Sequence, residues 1–288
     1  MTTSDLLIEP KALSNHLDAS DVLVFDCTYD LAAHGAGRQA FKEKHILGAQ
    51  FADLHDDLSA HEPERASGGR HPLPTRSAFV AWLRAAGLSK GTLAVVYDRN
   101  RLNFAGRLWW MLRWVGHSNV RVLDGGLQAW EELGLPLAGG DSAPRKPGDF
   151  ALGNELETLV DAEQVRQRLD NPDHILIDAR APERFRGDVE PLDAVAGHIP
   201  GALNRPFIRN LDESGKFKSP AQLRAEYVDM FAGRDAADVV AYCGSGVSAT
   251  PIVLSMRLAG LPAPALYAGS WSDWSARDDS YPKARVGA

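Results

Sequence analysis

The sequence predicts an α/β fold made of two tandem domains, each with a mainly parallel sheet flanked by helices. Continuous apolar runs rich in β-branched residues, typical of buried parallel strands, alternate with segments of helical spacing. The same order of strands, turns and helices then occurs a second time, with matching motifs 144 to 153 residues further along the chain. A length of 288 residues fits two domains of ordinary size, so the repeat indicates a duplicated domain.

The first half supplies the elements of one such domain. Near the start, a short strand and a helix are predicted between Leu6 and Leu17, with Ser14 as the helix cap. Apolar runs and helical spacing then predict strands at 22–26, 93–98 and 120–123, and helices at 79–86, at 104–115 and from Gly126 onwards. The segment 54–74 is charged and rich in Gly, Pro and His, which predicts an exposed loop.

The second half repeats this arrangement after a stretch rich in Gly and Pro. The predicted division is a first domain at 1–140, a linker at 141–154 and a second domain at 155–288. The run that ends at Asp178 matches the run that ends at Asp26, and the run that ends at Cys243 matches the one that ends at Asp98. Alternating strands and helices in each half predict sheets that are mainly parallel.

Composition narrows the classes of function. The formal net charge of −7 argues against a nucleic-acid binder, which usually carries a basic face. No apolar run approaches the ~20 residues that cross a bilayer, and the first residues lack the features of a signal peptide, so no membrane partner is expected. The two cysteines, Cys27 and Cys243, have no metal-ligand spacing and indicate no disulfide framework. We therefore expect a cytoplasmic protein without a metal or other cofactor.

The most informative stretch begins where a predicted strand ends at Cys243. Gly244 and Gly246 follow the cysteine, and a helix is predicted from Ala249 to Leu258. Glycines allow such a loop to curl, and its successive amides then form an anion-binding nest at the positive end of the helix. A cysteine in that field holds its charge as a thiolate more easily than a free one, which favours a nucleophile over a buried structural thiol.

The first half differs at the equivalent position, where Asp98 replaces the cysteine. A carboxylate cannot act as a soft nucleophile, and the residues that follow, 99–103, lack the glycines of the second loop. We therefore predict that this loop does not curl its amides around an anion, and that the first domain is non-catalytic.

Several motifs together resemble the tandem rhodanese family, the thiosulfate and 3-mercaptopyruvate sulfurtransferases. Both halves carry an acid after a strand and a His-Ile-x-Gly-Ala turn, and Gly269-Ser270-Trp271 stands near the end. The loop 243–249, Cys-Gly-Ser-Gly-Val-Ser-Ala, is similar to the mercaptopyruvate type, Cys-Gly-Ser-Gly-Val-Thr, with Ser248 in place of Thr. The resemblance implies two rhodanese-like domains, of which the second is catalytic.

The resemblance also implies a mechanism and a set of site residues. Cys243 would take a sulfane sulfur from 3-mercaptopyruvate or thiosulfate as a persulfide, and pass it to cyanide or to a thiol such as thioredoxin or a small thiol. The implied catalytic residues are Cys243, Ser245 and His71, with Asp178 and Arg180 as supporting residues. The implied substrate-binding residues are Arg184, Gly244, Gly246, Val247, Ser248, Ala249 and Arg70.

The sequence leaves some points open. The mercaptopyruvate enzymes offer a second arginine after Glu-Pro, whereas this chain has Leu192 there, so the preferred donor is open and Arg186 is a possible substitute on a predicted strand. Asp53 or Asp56 could complete a proton relay with Ser245 and His71. The other histidines of interest, His45 and His198, and the second cysteine, Cys27, are interpreted as structural.

Two other classes of protein compete with a sulfurtransferase. A cysteine phosphatase with this domain plan needs Cys-x5-Arg, and Ala249 stands where that arginine would be, so phosphatase activity is not expected. A catalytically silent rhodanese-like binding module is the remaining alternative, and the intact Cys243 loop argues against it for the second domain.

Overall fold

The computed structural model describes residues 3–61 and 65–287 and divides into two compact units. The first unit comprises Met1–Glu64, Pro74–Leu156 and Leu211–Phe217, and the second comprises Arg65–Leu73, Glu157–Asn210 and Lys218–Ala288. In the described part of the chain, no helix combines the length and the apolar character that crossing a membrane requires. The predicted domain ends at 140 and 155 remain our proposal for the limits of the duplicated domains.

The first unit alternates helices and strands along its sequence. Its helices are α1 (Thr3–Leu6), α2 (Pro10–Ser14), α3 (Ala36–Glu43), α4 (Arg76–Ala85), α5 (Asn103–Trp114) and α6 (Gly126–Glu132). Its strands are β1 (Leu7–Ile8), β2 (Val22–Asp26), β3 (His45–Ile46), β4 (Gln50–Phe51), β5 (Leu93–Tyr97), β6 (Val120–Leu123) and β7 (Leu137–Ala138).

Among the described residues, the main sheet of the first unit has five parallel strands in the order β1-β6-β5-β2-β4. All five residues of β2, which lies between β5 and β4, are buried, as is typical of strands in a parallel sheet. The short strands β3 and β7 form a separate antiparallel pair. The strands predicted at 22–26, 93–98 and 120–123 are thus present, as β2, β5 and β6.

The second unit repeats this plan. Its strands are β8 (Leu159–Val160), β9 (Ile175–Asp178), β10 (Leu203–Asn204), β11 (Val239–Tyr242) and β12 (Ala265–Tyr267). Its α-helices are α7 (Ala162–Arg166), α8 (Pro182–Arg186), α9 (Pro220–Phe231), α10 (Thr250–Leu258) and α11 (Ser270–Trp274), and two 3₁₀ turns span Phe207–Asn210 and Ala236–Asp238. Its sheet is parallel in the order β10-β9-β11-β12-β8, the same order as the first. The predicted α/β fold with two mainly parallel sheets is confirmed.

Buried aromatic side chains show how closely the two units correspond. The hydroxyl of Tyr97 accepts a hydrogen bond from the Ile46 amide at 3.0 Å, and the hydroxyl of Tyr242 accepts one from the Ile199 amide at 3.1 Å. Each tyrosine is the last residue of the central strand of its sheet, β5 or β11. In each unit the donor is the isoleucine that directly follows the histidine of the His-Ile-x-Gly-Ala motif. A buried phenol needs such a partner, so the pair explains why both halves keep tyrosine at this position.

Two local predictions from the sequence were wrong. Ser14 does not cap α2; this helix begins after Glu9 with Pro10 in its first turn, and Ser14 is its last residue. Arg186 lies on the short helix α8 and not on a strand, because Pro182 starts a helical turn that ends at Gly187 with a φ of +85°.

Candidate active site

Cys243 lies directly after β11, at the edge of the second sheet where the carboxyl ends of parallel strands meet. Its amide donates to the Ser270 hydroxyl at 3.1 Å, and its carbonyl accepts from the Trp271 amide at 3.0 Å. The start of α11 therefore fixes the backbone of the cysteine. The residue is 2% exposed, so very little of it is open to solvent.

The loop after Cys243 is held on both sides. The carbonyl of Gly244 accepts from the Ser272 amide at 2.9 Å. Gly246 has a φ of +75°, and a Cβ there would lie 2.4 Å from the Ala268 carbonyl oxygen, so only glycine fits. The Val247 carbonyl accepts from both the amide and the hydroxyl of Thr250, at 3.0 and 2.7 Å, which starts α10.

The other two residues of the loop complete its path to the helix. Ser248 is partly exposed and Ala249 is buried immediately before Thr250. The loop thus runs from the nucleophile to the N-terminus of α10, where helical amides favour an anion. The cradle of amides around the Cys243 sulfur remains a prediction from the sequence.

Ser270 was not among the predicted site residues, although its motif was noted. Its hydroxyl lies 4.0 Å from the Cys243 sulfur and donates to the Tyr267 carbonyl at 2.9 Å. Its backbone is left-handed, with a φ of 54°, which is uncommon outside glycine and costs about 1 kcal/mol or more. Such strain beside a nucleophile marks a position that the surrounding structure holds in place.

His71 and Ser245 form a buried pair. Nδ1 of His71 and Oγ of Ser245 are 2.8 Å apart, and each residue is 6% exposed. His71 belongs to the segment Arg65–Leu73, which groups with the second unit. The Leu73 amide donates to the Ser67 hydroxyl at 2.8 Å, which closes this segment on itself. The structure therefore brings the two residues together as the resemblance implies.

Two arginines converge beside the residue that follows the nucleophile. A Cβ on Gly244 would lie 3.4 Å from Nη1 of Arg184 and 3.4 Å from Nη2 of Arg70. Arg184 is on α8, and the Arg70 amide is anchored by the Ser272 hydroxyl at 3.0 Å. By contrast, Arg186 is exposed and pairs with Asp188 at 2.7 Å. Arg70 is thus the second arginine near Gly244, and Arg186 is not.

Acidic partners of these arginines were missed by the sequence analysis. Glu190 accepts from Nη2 of Arg184 at 2.6 Å, and Asp193 accepts from Nη1 of Arg70 at 2.5 Å. Both carboxylates are almost fully buried. The only signal in the sequence was their position just after the arginine, in a segment where an arginine and not an acid was expected.

Asp178 and Arg180 pair tightly next to this cluster. Nη2 of Arg180 lies 2.6 Å from Oδ2 of Asp178, and the same nitrogen donates to the Gly197 carbonyl at 2.6 Å. The guanidinium also lies 4.9 Å from the ring centre of Trp271 and 3.2 Å from Glu190. Burial alone would lower the pKa of Arg180, but Asp178 and Glu190 outweigh it and raise that pKa above its ordinary value. The pair therefore fixes the end of β9 against α11.

The loop after Asp98 contradicts the sequence prediction. Oδ1 of Asp98 accepts from the amides of Asn100 and Leu102, and Oδ2 accepts from the amides of Phe104 and Ala105, all at 2.7–2.8 Å. The loop therefore does curl its amides around an anion, without glycine.

Two non-glycine residues make this curl possible. Arg101 and Leu102 have φ values of 57° and 64°, at an expected cost of about 1–2 kcal/mol each. Four charge-assisted hydrogen bonds to the carboxylate offset that cost. Burial nevertheless raises the pKa of Asp98 to about 6, against the pull of the four amides.

The remaining predicted structural residues have local partners. Nδ1 of His45 is 2.8 Å from the Phe41 carbonyl, and Nδ1 of His198 is 2.7 Å from the Phe185 carbonyl. Each of these histidines also stacks on that phenylalanine at 3.9 Å between ring centres. Cys27 is fully buried, and burial raises the pKa of its thiol well above the ordinary value. These contacts agree with structural roles.

The two acids that the sequence offered for a proton relay have partners within the first unit. Asp53 accepts from the amides of His55 and Asp56, at 2.8 and 3.1 Å. Asp56 pairs with the His55 imidazole at 3.0 Å, and this hydrogen bond lowers the pKa of Asp56. The third member of a relay with His71 and Ser245 is therefore left unassigned.

One group of side chains in the first unit has the residue types of a metal site. Ligand atoms of His34, His55 and Asp56 all lie within 4.8 Å of one another. All three residues are exposed, and they belong to the first unit, whereas Cys243 belongs to the second. We assign the cluster no role in the chemistry at Cys243.

The sequence profile of the rhodanese-like domain matches residues 9–133 and again residues 161–277. The chain belongs to the rhodanese-like family. The first rhodanese-like match includes Asp98 and its amide cradle, and the second includes Cys243 and the loop that leads into α10. The expectation of two rhodanese-like domains, drawn from the motifs alone, is confirmed.

Similar proteins cover almost the whole rhodanese-like chain. A protein of Pseudomonas aeruginosa named "Probable 3-mercaptopyruvate sulfurtransferase" is 44% identical over 273 residues, which are 94% of this chain and 95% of the relative. "Thiosulfate sulfurtransferase" of Bos taurus is 34% identical over 281 residues, which are 93% of this chain and 91% of the relative.

A solved structure gives the same result for the fold. The crystal structure of SseA from Escherichia coli, whose title refers to the rhodanese fold and mechanism of 3-mercaptopyruvate sulfotransferases, matches with a TM-score of 0.78 and 31% identity. The match covers 94% of this chain and 100% of that one.

Proposed function

We propose that this protein is a sulfurtransferase that moves a sulfane sulfur from 3-mercaptopyruvate to a thiophilic acceptor through a persulfide on Cys243. One observation carries the proposal: two guanidiniums converge beside Gly244, the residue next to the nucleophile. Arginine forks bind carboxylates well, and 3-mercaptopyruvate carries its carboxylate a few bonds from its sulfur. The names of the relatives from Pseudomonas aeruginosa and Escherichia coli support the same donor.

In the first step, the Cys243 thiolate attacks the sulfur of 3-mercaptopyruvate. A new S–S bond forms, and the bond between that sulfur and C3 of the donor breaks. The electron pair of the broken bond goes to C3 as the enolate of pyruvate, which takes up one proton to give pyruvate. Cys243 is left as a persulfide that keeps the hydrogen of the donor thiol. This covalent intermediate divides one difficult transfer into two.

In the second step, an acceptor attacks the outer sulfur of the persulfide. The S–S bond breaks and its electron pair returns to Cys243, which is again a thiolate. Cyanide leaves as thiocyanate and a thiol leaves as its own persulfide, while the hydrogen on the outer sulfur is released as a proton. Thioredoxin or a small thiol suits this role in a reducing compartment such as the cytoplasm.

The residues around Cys243 divide the remaining tasks. Ser245 can supply the proton that C3 needs, because His71 lies within hydrogen-bond distance of its hydroxyl and can reload it. Arg184 and Arg70 hold the donor carboxylate. The amides of 244–249 and the start of α10 stabilise the negative charge on the thiolate and the persulfide.

A second candidate is thiosulfate as the donor, by the same persulfide mechanism. It is favoured by a relative that carries the name thiosulfate sulfurtransferase and by Leu192, which stands where the mercaptopyruvate enzymes have a second arginine. The thiosulfate type, however, usually has two basic residues where this chain has Gly244 and Ser245. We therefore rank 3-mercaptopyruvate first.

The test compares Cys243→Ser with Cys27→Ala, a matched change at the other cysteine. After treatment with 3-mercaptopyruvate, intact-mass analysis should show one added sulfur on the wild type and on Cys27→Ala, and none on Cys243→Ser. Steady-state rates with each donor then rank 3-mercaptopyruvate against thiosulfate. Sulfur transfer by a folded Cys243→Ser protein would refute the role of Cys243, and faster turnover of thiosulfate by the wild type would reverse the choice of donor.

A further inference from the structure

The two arginines beside Gly244 do not form a simple cationic pocket, because buried acids accompany them. Nε and Nη2 of Arg184 donate to Glu190 at 3.2 and 2.6 Å, and Nη1 of Arg70 donates to Asp193 at 2.5 Å. Three guanidiniums and three carboxylates share this cluster, namely Arg70, Arg180, Arg184, Asp178, Glu190 and Asp193. Their formal charges cancel, so an anion that enters meets a cluster without net formal charge.

Asp193 differs from the other two acids of the cluster, because one of its carboxylate oxygens has no hydrogen bond. Its side chain is only 7% exposed. Oδ1 is bound to Arg70, while Oδ2 is buried without a hydrogen bond and lies 3.5 Å from Nη2 of Arg184, too far for a good one. Burial raises the pKa of Asp193, although Arg70 and Arg184 both oppose this rise. A buried carboxylate with one unbound oxygen repels any further negative charge placed between the same two arginines.

We propose that Asp193 is a specificity-determining residue that makes the site accept donors with one negative charge and reject donors with two. 3-Mercaptopyruvate carries a single carboxylate and a thiol that is mostly neutral near pH 7, whereas thiosulfate is a dianion. This inference rests on the proposed function, because it concerns the choice between the two donors at the same site.

The Asp193 carboxylate lies close to the place where Arg70 would hold a donor anion. Arg70 bonds Asp193 and also lies beside Gly244, so a donor anion held by Arg70 comes close to the Asp193 carboxylate. The Asp193 carboxylate repels each negative charge of the donor, so it repels a dianion about twice as strongly as a monoanion. At an effective dielectric constant of about 20 and a separation of several ångströms, one additional charge is expected to weaken binding about tenfold or more.

Leu192 strengthens this interpretation. Its carbonyl also accepts from Nη1 of Arg70, at 3.4 Å, and its amide donates to Glu190 at 3.1 Å. The segment in which the mercaptopyruvate enzymes have a second arginine here supplies acceptors that hold Arg70. The second guanidinium beside Gly244 therefore belongs to Arg70, which is distant in the sequence, and it is already bound to Asp193.

The experiment measures binding and not turnover, in a Cys243→Ser background that cannot react. Dissociation constants for thiosulfate and for 3-mercaptopyruvate are determined by calorimetry, with and without Asp193→Asn. The asparagine keeps the shape and one oxygen for Arg70 but removes the charge. Thiosulfate is expected to bind about tenfold tighter in Asp193→Asn, and 3-mercaptopyruvate by a clearly smaller factor, so the ratio of the two constants changes.

A matched control is Asp188→Asn, at an exposed acid paired with Arg186 on the neighbouring turn, where the ratio should not move. If Asp193→Asn does not fold, Asp193→Ser removes the same charge and carries the same expectation. An unchanged ratio, or no measurable binding of either donor, overturns the role of Asp193. Failure of the proposed function shows separately, as a wild type that transfers sulfur from neither donor.

Discussion

Nδ1 of His71 lies 2.8 Å from Oγ of Ser245, although 174 residues separate them in the chain. Ser245 is two residues beyond the nucleophile, and both side chains are buried away from bulk water. A hydroxyl in this position can give a proton to a leaving carbon only if a proton donor restores it, and the His71 imidazole, in its protonated form, is placed to do so. The pair therefore acts as a unit in the proposed transfer.

We expect Ser245→Ala and His71→Gln each to lower kcat with 3-mercaptopyruvate by about 100-fold, the lower end of the usual range for general acid–base catalysis. The double variant should be hardly slower than either single one, because both changes interrupt one proton path. Pyruvate formation measures the rates, and His16→Gln, at an exposed histidine, is the control. Additive losses would show that the two residues act independently.

Arg184→Gln should raise KM for 3-mercaptopyruvate about tenfold or more, because a charge-assisted hydrogen bond to the donor carboxylate is lost. Glu190 keeps Arg180 as a partner in this variant, at 3.2 Å, so the fold should persist. Arg186→Gln, two residues away on the same helix and exposed, should leave KM unchanged. Equal effects of the two changes would remove Arg184 from the donor site.

Asp178→Asn should lower the free energy of unfolding by about 3–5 kcal/mol, because it leaves the buried Arg180 without its closest counter-charge. Urea titration measures the change. Asp188→Asn breaks an exposed ion pair with Arg186 and should change stability by less than about 1 kcal/mol. A small effect of Asp178→Asn would mean that Glu190 alone compensates Arg180.

Asp124 should make stability depend on pH. Burial raises its pKa from 3.8 to about 6, with Glu9 and Asp212 adding to the rise and the Phe217 amide and Lys216 opposing it. Because the folded-state pKa lies above the unfolded one, the stability contributed by the protonated group is fully present below pH 3.8. It is lost as the pH rises through about 6.

Asp124→Asn isolates this effect, because the amide oxygen can still accept from Phe217 but cannot ionise. Relative to the wild type, the variant should gain at most about 3 kcal/mol of stability between pH 4 and pH 8. Urea titrations across this range measure the difference. A difference that does not vary with pH would show that Asp124 has no shifted titration.

The sequence was sufficient for the parts of the fold that depend on local patterns. The runs that end at Asp26, Asp98 and Cys243 are short, continuous, apolar and rich in β-branched residues, a pattern typical of buried parallel strands, and these strands were predicted correctly. Residues that meet through the fold were harder to place. The local pattern of their segment predicts only an exposed loop, so Arg70 and His71 were assigned to the site through the family resemblance alone. Nothing local indicates that the segment groups with the second unit or that His71 is buried.

The acids of the site show a different limit. Leu192 stands where a second arginine was expected, and Asp193, the next residue, was given no role from the sequence. Its meaning depends on Arg70, 123 residues away, which it binds. The prediction for 99–103 failed for a physical reason as well, since glycine was taken as necessary for the curl, whereas the Asp98 carboxylate stabilises the curl by itself.

The carboxylate of Asp98 acts as a built-in anion for the loop that follows it. It cannot dissociate from the first unit, because it is part of the same chain. Small anions in solution compete with it at a great disadvantage, because a tethered group is always present at high local concentration. The duplicated scaffold is therefore expected to carry one exchangeable sulfur per molecule and not two. The anion-binding loop of the first unit is therefore occupied permanently by a carboxylate of the same chain.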